Sequence, residues 1–199
     1  MTPLNVWHVK KNDFQYFIPF LSLVFIFFCT DFLGVIEKLD FAYYSGAIIS
    51  QPYRVVTTHF LHADFSHLVA NIFGIVVARY FLNELSLKNR YFFIILILFL
   101  IPLQILLQWF LDIYILRKYH IILVGFSGIL YGINAFILLS SIYGKKYFLL
   151  LNISLKPNLS VRKAMLFLSF IGLVWSILPT ISLSAHLTGF MAGSILFLL

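Results

Sequence analysis

Three short polar stretches interrupt an apolar chain, and their residue types are those of nucleophilic catalysis. The stretch VGFSGILYG contains Ser127, SAHLTGFMAGS contains His186, and HFLHADFSHLVANIFG contains His67 and Asn71. A serine hydroxyl is a weak nucleophile until a neighbouring base takes its proton. The three stretches therefore hold a candidate nucleophile, a candidate base and further hydrogen-bond donors.

Glycines follow both the serine and the histidine at helical spacing. Gly128 and Gly132 form a GxxxG pair after the serine, and Gly189 and Gly193 form a second pair on the helix face of the histidine. GxxxG pairs let membrane helices approach closely. We expect the two glycine-faced helices to pack together and to bring the imidazole within hydrogen-bond reach of the hydroxyl. In the alternative interpretation the glycines only mediate packing and the serine bonds a carbonyl of its own helix.

His67 and Asn71 lie four residues apart and share one helix face, from which both can donate to a developing oxyanion. His59, His62 and His67 are an alternative zinc-binding set, because imidazole is a common zinc ligand. No HExxH pair, no nearby cysteine and no acidic neighbour except Asp64 accompanies them, which disfavours zinc. Positions at the membrane interface are a second explanation for the first two histidines.

The acidic residues favour a dyad over a triad. The chain has 7 Asp and Glu residues, and none lies in the last apolar segment or beside His186. A Ser-His-Asp triad needs a carboxylate to orient the imidazole. The sequence therefore predicts a Ser127-His186 dyad, with the ring oriented by packing or by an aromatic such as Tyr131, which follows the serine by one helical turn.

The composition indicates that these residues lie in a membrane protein. Of 199 residues, 62% are hydrophobic and 11% charged, against about 45–50% and about 25% in soluble domains. We expect one all-α, polytopic integral-membrane domain over residues 1–199, in contact with the lipid bilayer. Richness in Phe, Ile, Leu, Lys, Tyr and Asn is typical of an AT-rich genome and favours a bacterial inner membrane. The net charge of +7 is attributed to cytoplasmic loops, so nucleic acid is not an expected partner.

Six apolar segments approach the roughly 20 residues that a spanning helix needs. They lie at about 16–36, 66–83, 91–111, 121–143, 163–180 and 182–199. The first is longer than the core of a signal peptide, so we expect it to be retained as a span. Basic residues before it and in the second and fourth connections predict cytoplasmic termini. The connection 37–62 then lies outside, with side chains suited to the membrane interface.

Taken together, the motifs resemble those of the rhomboid family of intramembrane serine proteases. Three family motifs occur in the family's order along the six segments, over about residues 50–199. Their residues are His62, His67 and Asn71 for H-x4-H-x3-N, Gly125, Ser127 and Gly128 for G-x-S-G, and Ala185, His186, Gly189 and Gly193 for A-H-x2-G-x3-G.

The resemblance implies that Ser127 is the nucleophile and His186 the general base of a protease that needs no cofactor. It implies a membrane-protein substrate that is cut in or near a transmembrane segment. It also implies an oxyanion hole from His67, Asn71 and the backbone N–H of the serine. The fourth helix would begin partway through the membrane, with the serine at the bottom of a water-filled cavity, as non-helical backbone at that depth requires.

The resemblance assigns supporting roles to His62, which would stabilise the first loop, and to Tyr131, which would stack on the imidazole. The sequence departs from the family pattern at two places. Tyr53-Arg54 stands where the family has Trp-Arg, and the bulky Phe126 precedes the serine. The compact layout is also similar to that of rhombosortases, which process C-terminal sorting tails of exported proteins.

Two other functions stay open at this point. One is a catalytically inactive rhomboid-like protein that binds membrane helices without cutting them. The other is a small transporter that uses the same polar residues as a path, although no inverted repeat and no intramembrane carboxylate relay is visible in the sequence.

Overall fold

The computed structural model describes residues 13–178 and 181–199, and these ranges are mostly helical. Their α-helices are α1 (Phe14–Phe27), α2 (Lys38–Phe41), α3 (Arg54–Thr57), α4 (Phe65–Glu84), α5 (Phe92–Phe110), α6 (Ser127–Tyr143), α7 (Leu159–Trp175) and α8 (Leu183–Leu198). Their strands are β1 (Tyr43–Tyr44), β2 (Ile122–Leu123), β3 (Lys145–Phe148) and β4 (Leu151–Leu155). Single π-helical turns extend α1 through Phe28–Phe32 and α5 through Leu111–Ile115.

Three of the described helices are long and apolar enough to cross a membrane. They are Phe14–Phe32, Phe65–Glu84 and Phe92–Ile115, which correspond to the first three predicted segments. Helices α6 and α8 are apolar but shorter, and α7 has 17 residues. Three of the six predicted spans are thus helices that are long enough to cross a membrane. The other three crossings and the cytoplasmic position of the termini stay predictions.

The predicted start of the fourth segment, residue 121, is wrong, because α6 begins only at Ser127. Ile122 and Leu123 instead pair antiparallel with the tyrosines of β1. Gly125 then has a φ of 122°, which no α-helix accommodates. The chain therefore turns just before the serine and places it at the N-terminus of the helix.

The predicted fifth segment, 163–180, begins and ends too late in the sequence, because α7 runs from Leu159 to Trp175. Asn158 caps its start by accepting hydrogen bonds from the backbone N–H groups of Ser160 (3.0 Å) and Val161 (3.2 Å). An asparagine side chain at this position satisfies donors that the first turn of a helix leaves unpaired. The cap, rather than the hydropathy, sets where the helix begins.

The connection between α1 and α4 is held together from within by Arg54. Its guanidinium donates to the carbonyl oxygens of Leu39 (2.7 Å) and Ala42 (2.5 Å). The hydroxyl of the adjacent Tyr53 donates to the carbonyl of Asp40 at 3.1 Å. The pair that replaces the family's Trp-Arg therefore still ties this loop together.

The all-α prediction implies a loop between α6 and α7. The structure instead has the β3–β4 hairpin there. Gly144, with a φ of 69°, ends α6 and turns the chain into the hairpin. The ammonium group of Lys145 donates to the carbonyl of Phe197 near the end of α8. Strand structure is nevertheless confined to short pairs, and the prediction of a helical fold is otherwise correct.

Helices α6 and α8 pack backbone against backbone through the two GxxxG pairs, as predicted. A Cβ atom added at Gly189 would overlap the carbonyl oxygen of Gly128, and one added at Gly193 would overlap that of Gly132. A larger residue at either position in α8 would therefore push the helices apart. This contact brings the first turns of α6 and α8 side by side.

We expect Gly193→Ala to lower the free energy of unfolding by about 1–3 kcal/mol, because a rigid backbone carbonyl occupies the space of the new methyl group. Gly74→Ala is the matched control. Its Cβ would lie 2.5 Å from the end of the Leu130 side chain, which is more easily displaced than a backbone carbonyl. Both changes gain the same helix propensity. Thermal unfolding in detergent measures the two midpoints, and equal midpoints would contradict the packing argument.

Candidate active site

Ser127 and His186 are in hydrogen-bond contact, with 3.0 Å between the serine Oγ and the imidazole Nε2. The serine is the first residue of α6 and is half-buried, and the histidine lies in the first turn of α8 and is 7% exposed. When the ring proton is on Nδ1, Nε2 is free to accept the hydroxyl proton. The contact expected from the glycine spacing is therefore present, with a geometry suited to general-base activation.

Two neighbours fix the plane and the second nitrogen of the imidazole. Tyr131 stacks on the ring of His186, with 4.1 Å between centroids and 10° between planes. The Oγ of Ser176, which follows the last residue of α7, lies 2.6 Å from Nδ1. The stacking was implied by the family resemblance, whereas Ser176 was not anticipated from the sequence. A single serine after an apolar helix carries no motif, so no signal in the sequence pointed to it.

Gly125 lets the imidazole of His67 lie against the backbone just before the serine. A Cβ atom at Gly125 would come within 2.5 Å of the ring Cε1 and 2.7 Å of its Nε2. The Gly125 N–H donates to the carbonyl of Thr58 at 3.0 Å, and the Thr58 hydroxyl donates to the carbonyl of Leu123 at 2.7 Å. The turn before Ser127 is thus bonded to the first loop, and His67 is brought next to it.

The N-terminus of α6 contributes donors of its own. The first N–H groups of a helix have no partner within the helix and carry a partial positive charge. Ser127 is the first residue of α6, so its backbone N–H is one of these groups. Phe126, which precedes the serine, is fully buried, and its ring lies 6.4 Å from that of Phe60.

Asp64 fixes the start of α4 and therefore the position of His67. Its carboxylate accepts a hydrogen bond from the His67 backbone N–H at 2.9 Å and one from the Ser66 hydroxyl at 2.6 Å. The Ser66 hydrogen bond, followed by that of the His67 N–H, lowers the pKa of the Asp64 carboxyl below its usual value. The carboxylate identified from the sequence at the mouth of this helix is thus a helix cap.

Asn71 lies one turn below His67 in α4 and is 2% exposed. Its side-chain Nδ2 has no hydrogen-bond partner among the described residues. A buried donor without a partner is costly and calls for an explanation. The unpaired amide keeps Asn71 a candidate oxyanion donor, as the family resemblance implies.

His62 and His59 are buried beside the site rather than exposed at an interface. The ring of His62 contacts that of His67 edge-on, 5.2 Å between centroids, and its backbone carbonyl accepts a hydrogen bond from Lys38 at 2.8 Å. A ring nitrogen of His59 lies 3.3 Å from the carbonyl of Ile101. Within residues 13–178 and 181–199, no group of three His, Cys, Asp or Glu side chains is placed to share a metal ion.

Comparison with known proteins adds one finding to this geometry. A family model described as the Rhomboid domain matches residues 49–199, which is most of the chain and includes every candidate site residue. No curated protein matches the chain.

We expect Gly125→Ala to destabilise the protein more than Gly34→Ala. Both glycines have a positive φ, 122° and 62°, so both substitutions introduce strain of about 1 kcal/mol or more. Gly34 has nothing within 4 Å of an added Cβ, whereas Gly125 faces the His67 ring. A lower unfolding midpoint for Gly125→Ala reports the displacement of that ring together with the greater backbone strain at a φ of 122°, which lies outside the left-handed region that Gly34 occupies. A midpoint at or above that of Gly34→Ala would show that the ring is not held there.

Proposed function

Since the chain belongs to the rhomboid family, we propose that this integral membrane protein is an intramembrane serine protease. It hydrolyses a peptide bond in or near a transmembrane segment of a membrane-protein substrate. The observation that supports this most directly is the 3.0 Å contact between Ser127 Oγ and His186 Nε2, made across two helices that are packed through glycines. The bacterial inner membrane remains the proposed location.

In the proposed first step, Ser127 Oγ attacks the carbonyl carbon of the scissile peptide while His186 Nε2 takes the hydroxyl proton. The C–O bond forms as the carbonyl π electrons move to oxygen, so an oxyanion and an imidazolium appear together. Both charges arise in a largely apolar region, where unpaired charge is costly. Catalysis therefore requires fixed partners for each charge.

We assign the oxyanion to three donors, namely the backbone N–H of Ser127, the imidazole of His67 and the amide of Asn71. The N–H belongs to a helix N-terminus, which favours negative charge. The unpaired Nδ2 of Asn71 fits this role, because binding the oxyanion would supply the partner it lacks. Fixed donors of this kind need no reorganisation when the charge develops.

The oxyanion then collapses, and His186 gives its proton to the leaving amine as the C–N bond breaks. Water attacks the resulting acyl-enzyme through the same base, and Ser127 regains its proton as the acid product leaves. The half-buried serine at a helix start is accessible to that water. The substrate helix must unwind first, because an intact helix keeps its carbonyls hydrogen-bonded, and we propose that it enters between α4 and α7.

Substitution of either dyad residue tests this function. We expect Ser127→Ala and His186→Ala to abolish cleavage of a model membrane substrate by detergent-purified protein, and Ser127→Ala to abolish covalent labelling by a fluorophosphonate probe. Ser140→Ala is the matched control, because Ser140 is buried in the same helix and its hydroxyl has no hydrogen-bond partner among the described residues. Wild-type protein that is neither labelled nor active would instead indicate a non-catalytic protein that binds membrane helices.

Removal of the proposed oxyanion donors should lower kcat more than it raises KM. We expect His67→Ala and Asn71→Ala each to reduce kcat by about 10²–10³-fold. His120→Ala serves as the control, since that histidine is exposed and bonds to Tyr44 instead, at 2.6 Å. An unchanged kcat with a raised KM would assign these residues to substrate binding.

A further inference from the structure

We propose that Ser176 is a positioning residue for His186, and that through it the carboxyl end of α7 takes the part that an aspartate plays in a Ser-His-Asp triad. The proposal rests on the proposed function, since it concerns the base of the same reaction. It starts from the 2.6 Å contact between Ser176 Oγ and His186 Nδ1. The imidazole thus has a serine on each ring nitrogen, one proposed as the nucleophile and one that the reaction itself does not use.

We assign the direction of each bond around Ser176 from the bond that its hydroxyl makes to Gly172. The Ser176 hydroxyl has one proton and lies 2.6 Å from the carbonyl oxygen of Gly172, which can only accept. With that proton donated to Gly172, Ser176 Oγ is an acceptor towards its other neighbours. It then accepts from Nδ1–H of His186 and from the Tyr131 hydroxyl, which lies 3.2 Å away.

This arrangement selects the tautomer that catalysis needs. A neutral imidazole with its proton on Nδ1 has an unprotonated Nε2, which is the nitrogen that faces Ser127. In the other tautomer Nδ1 has no proton. It would then face the Ser176 Oγ, whose own proton is donated to Gly172, and no hydrogen bond could form between them. Ser176 therefore holds the base ready to accept, which is one of the two tasks of the triad aspartate.

The second task is to stabilise the imidazolium, and the end of α7 is suited to it. The last carbonyls of a helix carry a partial negative charge. Gly172, in the last turn of α7, presents its carbonyl to the hydroxyl and also to the backbone N–H of Ser176, at 2.9 Å. When His186 takes the Ser127 proton, Nδ1–H keeps its own proton and donates more strongly towards this negative end. No proton moves to Ser176, and no carboxylate has to be placed in the membrane interior, where it would be costly.

The assignment makes the state of His186 depend on the position of α7. The fully buried residues of α7 are Val161 and Met165, both in its first half. Its other end meets the site through Gly172, where an added Cβ would lie 2.5 Å from the Tyr131 hydroxyl, and through Ser176. A displacement of this end would remove the partner of Nδ1.

Labelling of Ser127 by a fluorophosphonate probe measures the effect on the base. We expect Ser176→Ala to slow labelling by about 10–100-fold, which is the effect of one lost hydrogen bond to a charged group. A cavity of about 250 Å³ is lined by Ser169, Ser176 and His186, among others. Ser169→Ala is the matched control, because Ser169 is also in α7 and its hydroxyl has no partner among the described residues. Ser176→Thr keeps the hydroxyl and should restore most of the rate.

A second measurement detects the tautomer directly. In protein with ¹⁵N-labelled histidine, the resonances of His186 can be identified among the 6 histidines by their loss in His186→Gln. In the wild type we expect the neutral His186 ring to carry its proton on Nδ1. In Ser176→Ala we expect a mixture of the Nδ1–H and Nε2–H tautomers. A purely structural role of Ser176 would change the unfolding midpoint but not this distribution.

The outcomes separate this proposal from the proposed function. Wild-type labelling with an unchanged rate and tautomer in Ser176→Ala would overturn the role of Ser176 and leave the protease assignment intact. Absence of labelling in the wild type, with a tautomer that depends on Ser176, would overturn the protease assignment and leave only the selection of the His186 tautomer by Ser176 intact. If Ser176→Ala does not fold, the wild-type spectrum decides, and a proton on Nε2 overturns the proposal.

Discussion

The close approach of α6 and α8 is the constraint on which the candidate site depends. A serine side chain reaches only one carbon beyond its backbone, so the helix that carries the imidazole must pack closely beside it. Gly189 and Gly193 allow that approach, because any Cβ atom there would overlap a carbonyl of α6. The 3.0 Å contact between Ser127 and His186 at the first turns of these helices is its consequence.

Polar partners on other helices keep α8 in register around this contact. On one side of His186 are Tyr131 and Ser176, from α6 and from the end of α7. Elsewhere on α8, the Thr188 hydroxyl donates to the side chain of Gln108 in α5 at 3.0 Å, and that amide donates to Asp112 at 3.0 Å. In an apolar surrounding each such bond lacks competition from water, so satisfied polar groups define a single arrangement of the helices.

The sequence predicted elements best where a single local property decides the structure. Long apolar runs predicted α1, α4 and α5, and the spacing of the glycines predicted the packing of α6 against α8. Residue 121 was a wrong start for α6, because hydropathy does not distinguish an apolar strand from an apolar helix, and the pairing of β2 with β1 is a contact between distant parts of the chain. The β3–β4 hairpin was missed because its residues were assigned to a connection from their basic side chains, and the cap at Asn158 moved α7 away from the hydropathy boundary.

By itself, the sequence determined the helical membrane class and the candidate nucleophile and base. It also determined that no carboxylate lies close to that base along the sequence. These follow from residue types and short spacings, which are local and readable without coordinates. Only the tertiary structure decided what faces Nδ1 of His186, where the His67 ring lies and which direction Phe126 takes. Each of these is a contact between residues of different elements, and it depends on helix positions that no single segment encodes. Ser176 is the clearest case, because its residue type is ordinary and its place beside the imidazole follows from where α7 ends.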